Sequence, residues 1–176
     1  MKVSKLGIGL ITLAVAVVSS LATYTVAPYA KGVEHTPSSM ATSHEQISAK
    51  EVIRLHNEYR ASKGLPPLTE NAMLDASAAA KAADMDEKEY WAHDSPTGKT
   101  PWDFIDEAGY VYSKAGENLG QNFSTSKAMV DAWILSPGHE ANMSGDFTDI
   151  GVAVLNGVNY QGNLLNNIVV VHFGKP

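Results

Sequence analysis

No cysteine occurs in this chain of 176 residues. That absence excludes a disulfide framework, a lipid-modified cysteine, thiolate catalysis and zinc–thiolate sites. The fold must be held by its core alone, and the length suffices for one domain with a sizeable core. Positive charge is also scarce. Lys and Arg total 13 against 19 Asp and Glu, a net charge of −6. There is no basic stripe, P-loop or Gly-rich dinucleotide fingerprint, so nucleic acid is not an expected partner. Histidine pairs at zinc-protease spacing are missing too. The stretch SPGHEANM, residues 136–143, begins an H-E-x-x-H pattern but has Met143 where the second imidazole would stand.

The one long apolar run lies at the start. Met-Lys-Val-Ser-Lys leads into Leu6–Val18, with a weaker apolar stretch to Ala30. Lysines before an apolar run read as an export signal, with Ser20 and Ala22 as small residues for cleavage after Ala22. Leu6–Ala27 is also about long enough to span a bilayer, so residues 1–30 are either a signal peptide or an N-terminal membrane anchor. Both routes place the domain outside the cell, secreted or held at the surface. The lack of disulfides in an exported domain leans toward a bacterial source, which makes the sequons at Asn122 and Asn142 chance occurrences. Loss of residues 1–30 would move the net charge from −6 to −8, because that segment holds two lysines and no acid.

Residues 31–46 are polar and aperiodic, a flexible linker that leaves His35 and His44 solvated. A domain is expected over 47–176. Val52, Leu55, His56 and Tyr59 follow helical spacing up to the stop at Gly64 and Pro66-Pro67. A second helix is expected over about 70–90, buried through Leu74, Ala78, Ala82 and Met85. Thr100-Pro101 with Asp103 and Gly109 spells a capped third helix. Tyr110-Val111-Tyr112 reads as strand and GENLG, 116–120, as a glycine-flanked loop. A helix over 126–135 turns Met129, Ala132 and Trp133 inward. Three strands, about 150–155, 158–161 and 168–173, close the chain, with turns at Asn156-Gly157 and Gln161-Gly162-Asn163. Helices first and strands last make the class α+β.

The chemistry-bearing residues are few. Ser136 followed by Pro137 is an N-cap before N1, which places His139 in the first turn of a short helix. The positive end of that helix disfavours imidazolium, and a neutral imidazole can serve as base, metal ligand or plain hydrogen-bonding group. His93 lies in the loop Ala92-His93-Asp94-Ser95-Pro96, as a functional group or an exposed one. Glu117 sits between glycines, where a carboxylate could orient an imidazole, complete a metal site or stay solvated. His56 reads as a satisfied core histidine, tied to neighbouring loops through Asn57 and Arg60. His172 reads as structural unless its face opens into a cleft.

Six motifs stand in order: HNEYR at 56–60, LPPL at 65–68, AHDSP at 92–96, GENLG at 116–120, WILSPGHEANM at 133–143 and DIGVA at 149–153. Together they resemble the CAP superfamily of cysteine-rich secretory, antigen 5 and pathogenesis-related 1 proteins, or SCP domain, most closely its bacterial branch. The resemblance covers about residue 48 to the C-terminus. It implies an α-β-α sandwich with a central antiparallel sheet and a large cleft lined by two histidines and acids. Position by position, those histidines fall on His93 and His139 and one glutamate on Glu117. His56, Asn57, Arg60, Asn118, Trp133 and Ser136 take structural places. The eukaryotic pattern adds a second glutamate before the second histidine, and Ser136 stands at the nearest position here.

In several family members the histidines bind a divalent metal, so Zn²⁺ or another divalent ion is the implied cofactor. Members are linked to sterol or lipid binding, defence, signalling and occasional proteolysis. The favoured reading is a non-enzymatic cleft module that binds a protein, lipid or cell-wall ligand at the surface. The rival is a metal-dependent hydrolase of peptide or cell-wall material with Glu117 as base. A lipid carrier ranks last, for want of a long uncommitted apolar stretch.

Overall fold

The structure is a computed structural model and describes residues 47–176; the leader and linker expected over 1–46 lie outside the described residues. Among the described residues, five helices and four strands follow one another as α1 (Ala49–Ser62), β1 (Thr69–Glu70), α2 (Ala72–Glu87), α3 (Pro101–Glu107), β2 (Lys114–Gln121), α4 (Ser126–Ile134), α5 (Pro137–Met143), β3 (Asp149–Tyr160) and β4 (Asn163–Lys175). The strands form one sheet in the order β1-β3-β4-β2. All pairings are antiparallel except the two-residue β1, which runs parallel to β3.

Alternation along β4 divides the interior into two layers. Val169, Val171 and Phe173 pack with Val52 of α1, Met129 and Trp133 of α4 and Met143 of α5. Ile168 and Val170 face the other way, onto Ala78, Ala82 and Met85 of α2. Helices therefore cover both faces of the sheet, an α-β-α sandwich of the α+β class. The alanine stripe of α2 lets that helix lie close. At Gly151 an added Cβ would stand 2.1 Å from the backbone carbon of Leu74.

Several local expectations are corrected. The second helix begins at Ala72, because Thr69–Glu70 pairs with Asp149–Ile150 and Asn71 becomes the N-cap, its side chain accepting from the Met73 amide. Tyr110–Tyr112 is not a strand. Tyr110 is buried and donates its hydroxyl to Asp149 Oδ2 at 2.6 Å, which bends the segment across the sheet end. GENLG is not a loop but the middle of β2, paired with β4 over its whole length. Its glycines serve close approach rather than bending: a Cβ on Gly120 would meet Met129 Sδ at 2.6 Å, and one on Gly116 would meet Phe147 Cζ at 3.0 Å.

The three expected C-terminal strands are two. Gln161 and Gly162 both have positive φ and make a two-residue hairpin turn. Asn156-Gly157 makes no turn, since the ladder keeps one offset from Asn156↔Asn167 to Val158↔Leu165.

Candidate functional site

β2 lies at the edge of the sheet and supplies the floor of a cleft. Its residues alternate between layers. Glu117 stands opposite His172 of β4 and shares the α2 face with it, while Asn118 turns toward α5. The loop after α2 brings His93 to the same place from one layer, and the first turn of α5 brings His139 from the other. A cavity of about 300 Å³ is lined by His93, Glu117, Asn118, Ser136, His139 and Asn142. A second, of about 390 Å³, continues past His93 toward Trp102. A third, of about 370 Å³, runs past His139 to Trp91, Phe123 and Trp133.

Glu117 is the centre of the arrangement. Its side chain is only 2% exposed, yet both oxygens are engaged. His93 Nδ1 lies 2.5 Å from Oε1 and His172 Nε2 lies 3.0 Å from Oε2. A carboxylate only accepts, so it fixes a proton on each facing ring nitrogen. Burial pushes the Glu117 carboxyl up, but the hydrogen bonds from His172 and His93 outweigh it and hold the group below the ordinary carboxylate range. The same bond raises His93 above the usual histidine value, against partial desolvation. His172 is fully buried, with Nδ1 2.7 Å from Ser77 Oγ on α2.

His139 is held differently. The Ser136 hydroxyl makes no cap bond to the helix; it lies 2.9 Å from His139 Nδ1 instead. This departs from the capping role expected of Ser136. Asn118 Nδ2 donates to the His139 carbonyl at 3.1 Å, and the imidazole lies 5.9 Å from the Trp133 ring. Burial lowers the His139 pKa, and the neighbouring His93 lowers it further. Among the described residues, neither His93 Nε2 nor His139 Nε2 has a protein hydrogen-bond partner. The cleft therefore presents two imidazole Nε2 atoms, on rings oriented through their other nitrogens.

The donor set limits what an ion would find. Among the described residues no group of three or more His, Asp or Glu is arranged to hold a metal. His93 and His139 can offer one nitrogen each. The carboxylate nearest to them accepts from two imidazoles, one on each oxygen.

Four residues of the site escaped the sequence reading. Lys81 is fully buried in α2 and its amine reaches Tyr90 OH at 2.9 Å, the Ala92 carbonyl at 3.0 Å and the His93 carbonyl at 2.5 Å. It pins the loop that carries His93, while Tyr90 donates onward to Asp84 Oδ2 at 2.7 Å. Lys81 is the lone charge on the apolar stripe of α2, a signal visible in its helical spacing. Ser77 shares that stripe. Asn142 donates to the Glu117 carbonyl and to Asn118 Oδ1, both at 2.9 Å, and sits one turn from His139.

Of the residues given structural places, Asn118, Ser136 and Trp133 also line the cavities. Asn57 exchanges two bonds with the Leu68 backbone, at 3.0 and 2.8 Å. Buried Arg60 donates to the carbonyls of Pro66, Met143, Gly145 and Phe147. Trp133 donates its indole N–H to the Leu119 carbonyl at 3.1 Å. His56 is buried with Nδ1 2.8 Å from the Val52 carbonyl, but its Nε2 has no partner, so it is only half satisfied.

A sandwich of this topology with two imidazoles lining one cavity over its edge strand defines the class. The family model for the cysteine-rich secretory protein (CAP) family matches residues 53–173, and the chain belongs to that family. The Bacillus subtilis protein YkwD is 41% identical over 104 residues, which cover 58% of this chain and 40% of YkwD. The chain thus spans about two fifths of that curated relative. Among solved structures, an extracellular protein containing an SCP domain from Bacillus anthracis is 27% identical with a TM-score of 0.63, covering 73% of this chain and 40% of its own. An outer surface protein from Borrelia burgdorferi is 25% identical with a TM-score of 0.62, covering 72% of this chain and 90% of its own. Those two relatives are described as extracellular or outer-surface proteins. Among the described residues, no helix is long and apolar enough to cross a membrane.

Proposed function

We propose that this is an exported recognition module whose cleft captures a ligand or partner at the cell surface or wall through His93 and His139. The observation that supports this reading is the double engagement of Glu117. With both oxygens bonded and the side chain buried, the cleft's one central carboxylate is spent on orienting His93. What remains for a ligand is a pair of imidazole Nε2 atoms flanked by amide groups. A divalent ion such as Zn²⁺, when bound by His93 and His139, would supply a Lewis-acidic link to an anionic or carbonyl group of the ligand. The extracellular description of the relatives agrees with this setting.

The test is co-sedimentation of the full chain with purified bacterial sacculi, with and without Zn²⁺, beside the folded His93→Ala/His139→Ala double variant. Wild type is expected in the pellet and the double variant in the supernatant. Equal pelleting of the two, or no pelleting of wild type, overturns the reading.

The His93–Glu117 pair also favours a second reading, hydrolysis of peptide or wall material with His93 as proton acceptor. Release of soluble wall fragments by wild type and not by His93→Gln would put that reading first.

A further inference from the structure

Among the described residues, β2 has a neighbouring strand on one side only. In an antiparallel ladder, successive residues turn their amide and carbonyl alternately toward the partner and away from it. The Asn122 amide donates to the Asn167 carbonyl at 3.0 Å, in the same offset as Gly120↔Val169 and Asn118↔Val171. The even-numbered residues therefore face β4, and Glu117, Leu119 and Gln121 turn outward into the cleft. Two side chains mark that outward direction independently. Asn142 Nδ2 donates to the Glu117 carbonyl, and Trp133 Nε1 donates to the Leu119 carbonyl.

The edge is thus unbalanced. Two of its outward carbonyls already have donors from α4 and α5. The outward N–H groups of Glu117, Leu119 and Gln121 have no acceptor among the described residues. Glu117 and Leu119 are only 5% and 7% exposed, and an unpaired amide at such depth is costly unless something in the cleft accepts from it. Alternate amides along a strand repeat every ~6.7 Å. An extended peptide presents its carbonyls at the same repeat. At the Leu119–Gln121 end, the basin between Trp91, Phe123 and Trp133 has room for an apolar side chain.

We infer that the cleft takes an extended peptide, laid along the free edge of β2, whose carbonyls accept from the amides of Glu117, Leu119 and Gln121 and whose apolar side chain enters the Trp91–Phe123–Trp133 basin. This rests on the recognition reading and names its ligand class. It is binding by strand addition. His93 and His139 then lie beside the peptide at the Glu117 end.

The test pans a phage library of random dodecapeptides against the full chain and follows ¹H–¹⁵N spectra as the best soluble peptide is added, with chito-oligosaccharide as the comparison probe. Peptides should be enriched, and the amide signals of Glu117, Leu119 and Gln121 should move downfield and exchange more slowly. Gln121→Pro removes an outward N–H without removing a ladder bond, so it should weaken the peptide by about fivefold. The inference falls if no peptide is enriched, or if a bound peptide leaves the three amides unmoved. It also falls if chito-oligosaccharide moves them and peptide does not. That last outcome leaves the recognition reading intact. Sacculus capture indifferent to the histidine double variant would sink the recognition reading by itself.

Discussion

Glu117 and His172 face each other across the β2–β4 ladder, with Nε2 of the buried imidazole 3.0 Å from Oε2 of the buried carboxylate. The other carboxylate oxygen holds His93 at the surface. One side chain thus connects the hydrogen bonding of the core with that of the cleft.

Replacing that carboxylate should be read out at His93. In Glu117→Gln the pKa of His93, followed by NMR titration, is expected to fall toward the usual histidine value. Protein stability should drop by roughly 1–3 kcal/mol, since an amide cannot accept from both rings. The pH dependence has two limits. Glu117 has its pKa lowered, so its contribution is present above the ordinary value of 4.5 and is lost as pH falls through the folded value. His93 has its pKa raised, so its contribution is full below the ordinary value of 6.5 and is lost as pH rises through the folded value. Urea titrations should therefore show the largest gap between wild type and variant between those two values.

His56 should make the fold sensitive to acid. Burial is the main cause that lowers its pKa to about 4, with Arg60 adding to it and the Val52 carbonyl opposing it. An unfolded His56 takes a proton at 6.5, so stability is lost as pH falls from there through 4, on the order of 3 kcal/mol in all. His56→Leu should flatten that part of the stability–pH curve. An unchanged acid limb would show that other groups govern it.

Ser136→Ala separates capping from positioning. An N-cap serine replaced by alanine ordinarily costs about 1 kcal/mol. Ser136 makes no cap bond, so the loss here should be under about 0.5 kcal/mol by thermal denaturation. The effect should appear instead at the ring of His139, as a shift of its ¹⁵Nδ1 resonance and weaker sacculus capture.

Lys81→Met keeps the apolar stem and deletes the amine. The carbonyls of Ala92 and His93 lose their donor, and the cost should be roughly 1–3 kcal/mol. Hydrogen exchange should quicken in residues 91–95 before it quickens in β4. Uniform quickening would mean that Lys81 supports the whole domain rather than the loop.

Much of this was legible in the chain. Leu74, Ala78, Ala82 and Met85 fell on the buried face of α2 as their spacing requires. Thr100, Pro101 and Asp103 form a complete capping box. These are local grammars, set within a few residues. What was not legible depends on partners far along the chain. GENLG reads as loop because glycine is poor in strands, and only the closeness of α4 and α5 shows why glycine is needed there. Glu117 meets His172 across 55 residues of sequence and His93 across 24, so no spacing rule could say that its oxygens are shared between them. Ser136 was placed at its cap, but whether its hydroxyl serves the backbone or the imidazole is settled by side-chain geometry alone.

His93 and His139 come from helical layers on opposite faces of the sheet, and they meet only where β2 leaves the sheet open. Anything gripped by both rings fastens one layer to the other at the place where no strand does so. Occupancy and resistance to being pulled apart should rise together, so a domain tethered to a surface would be toughest while it is holding something.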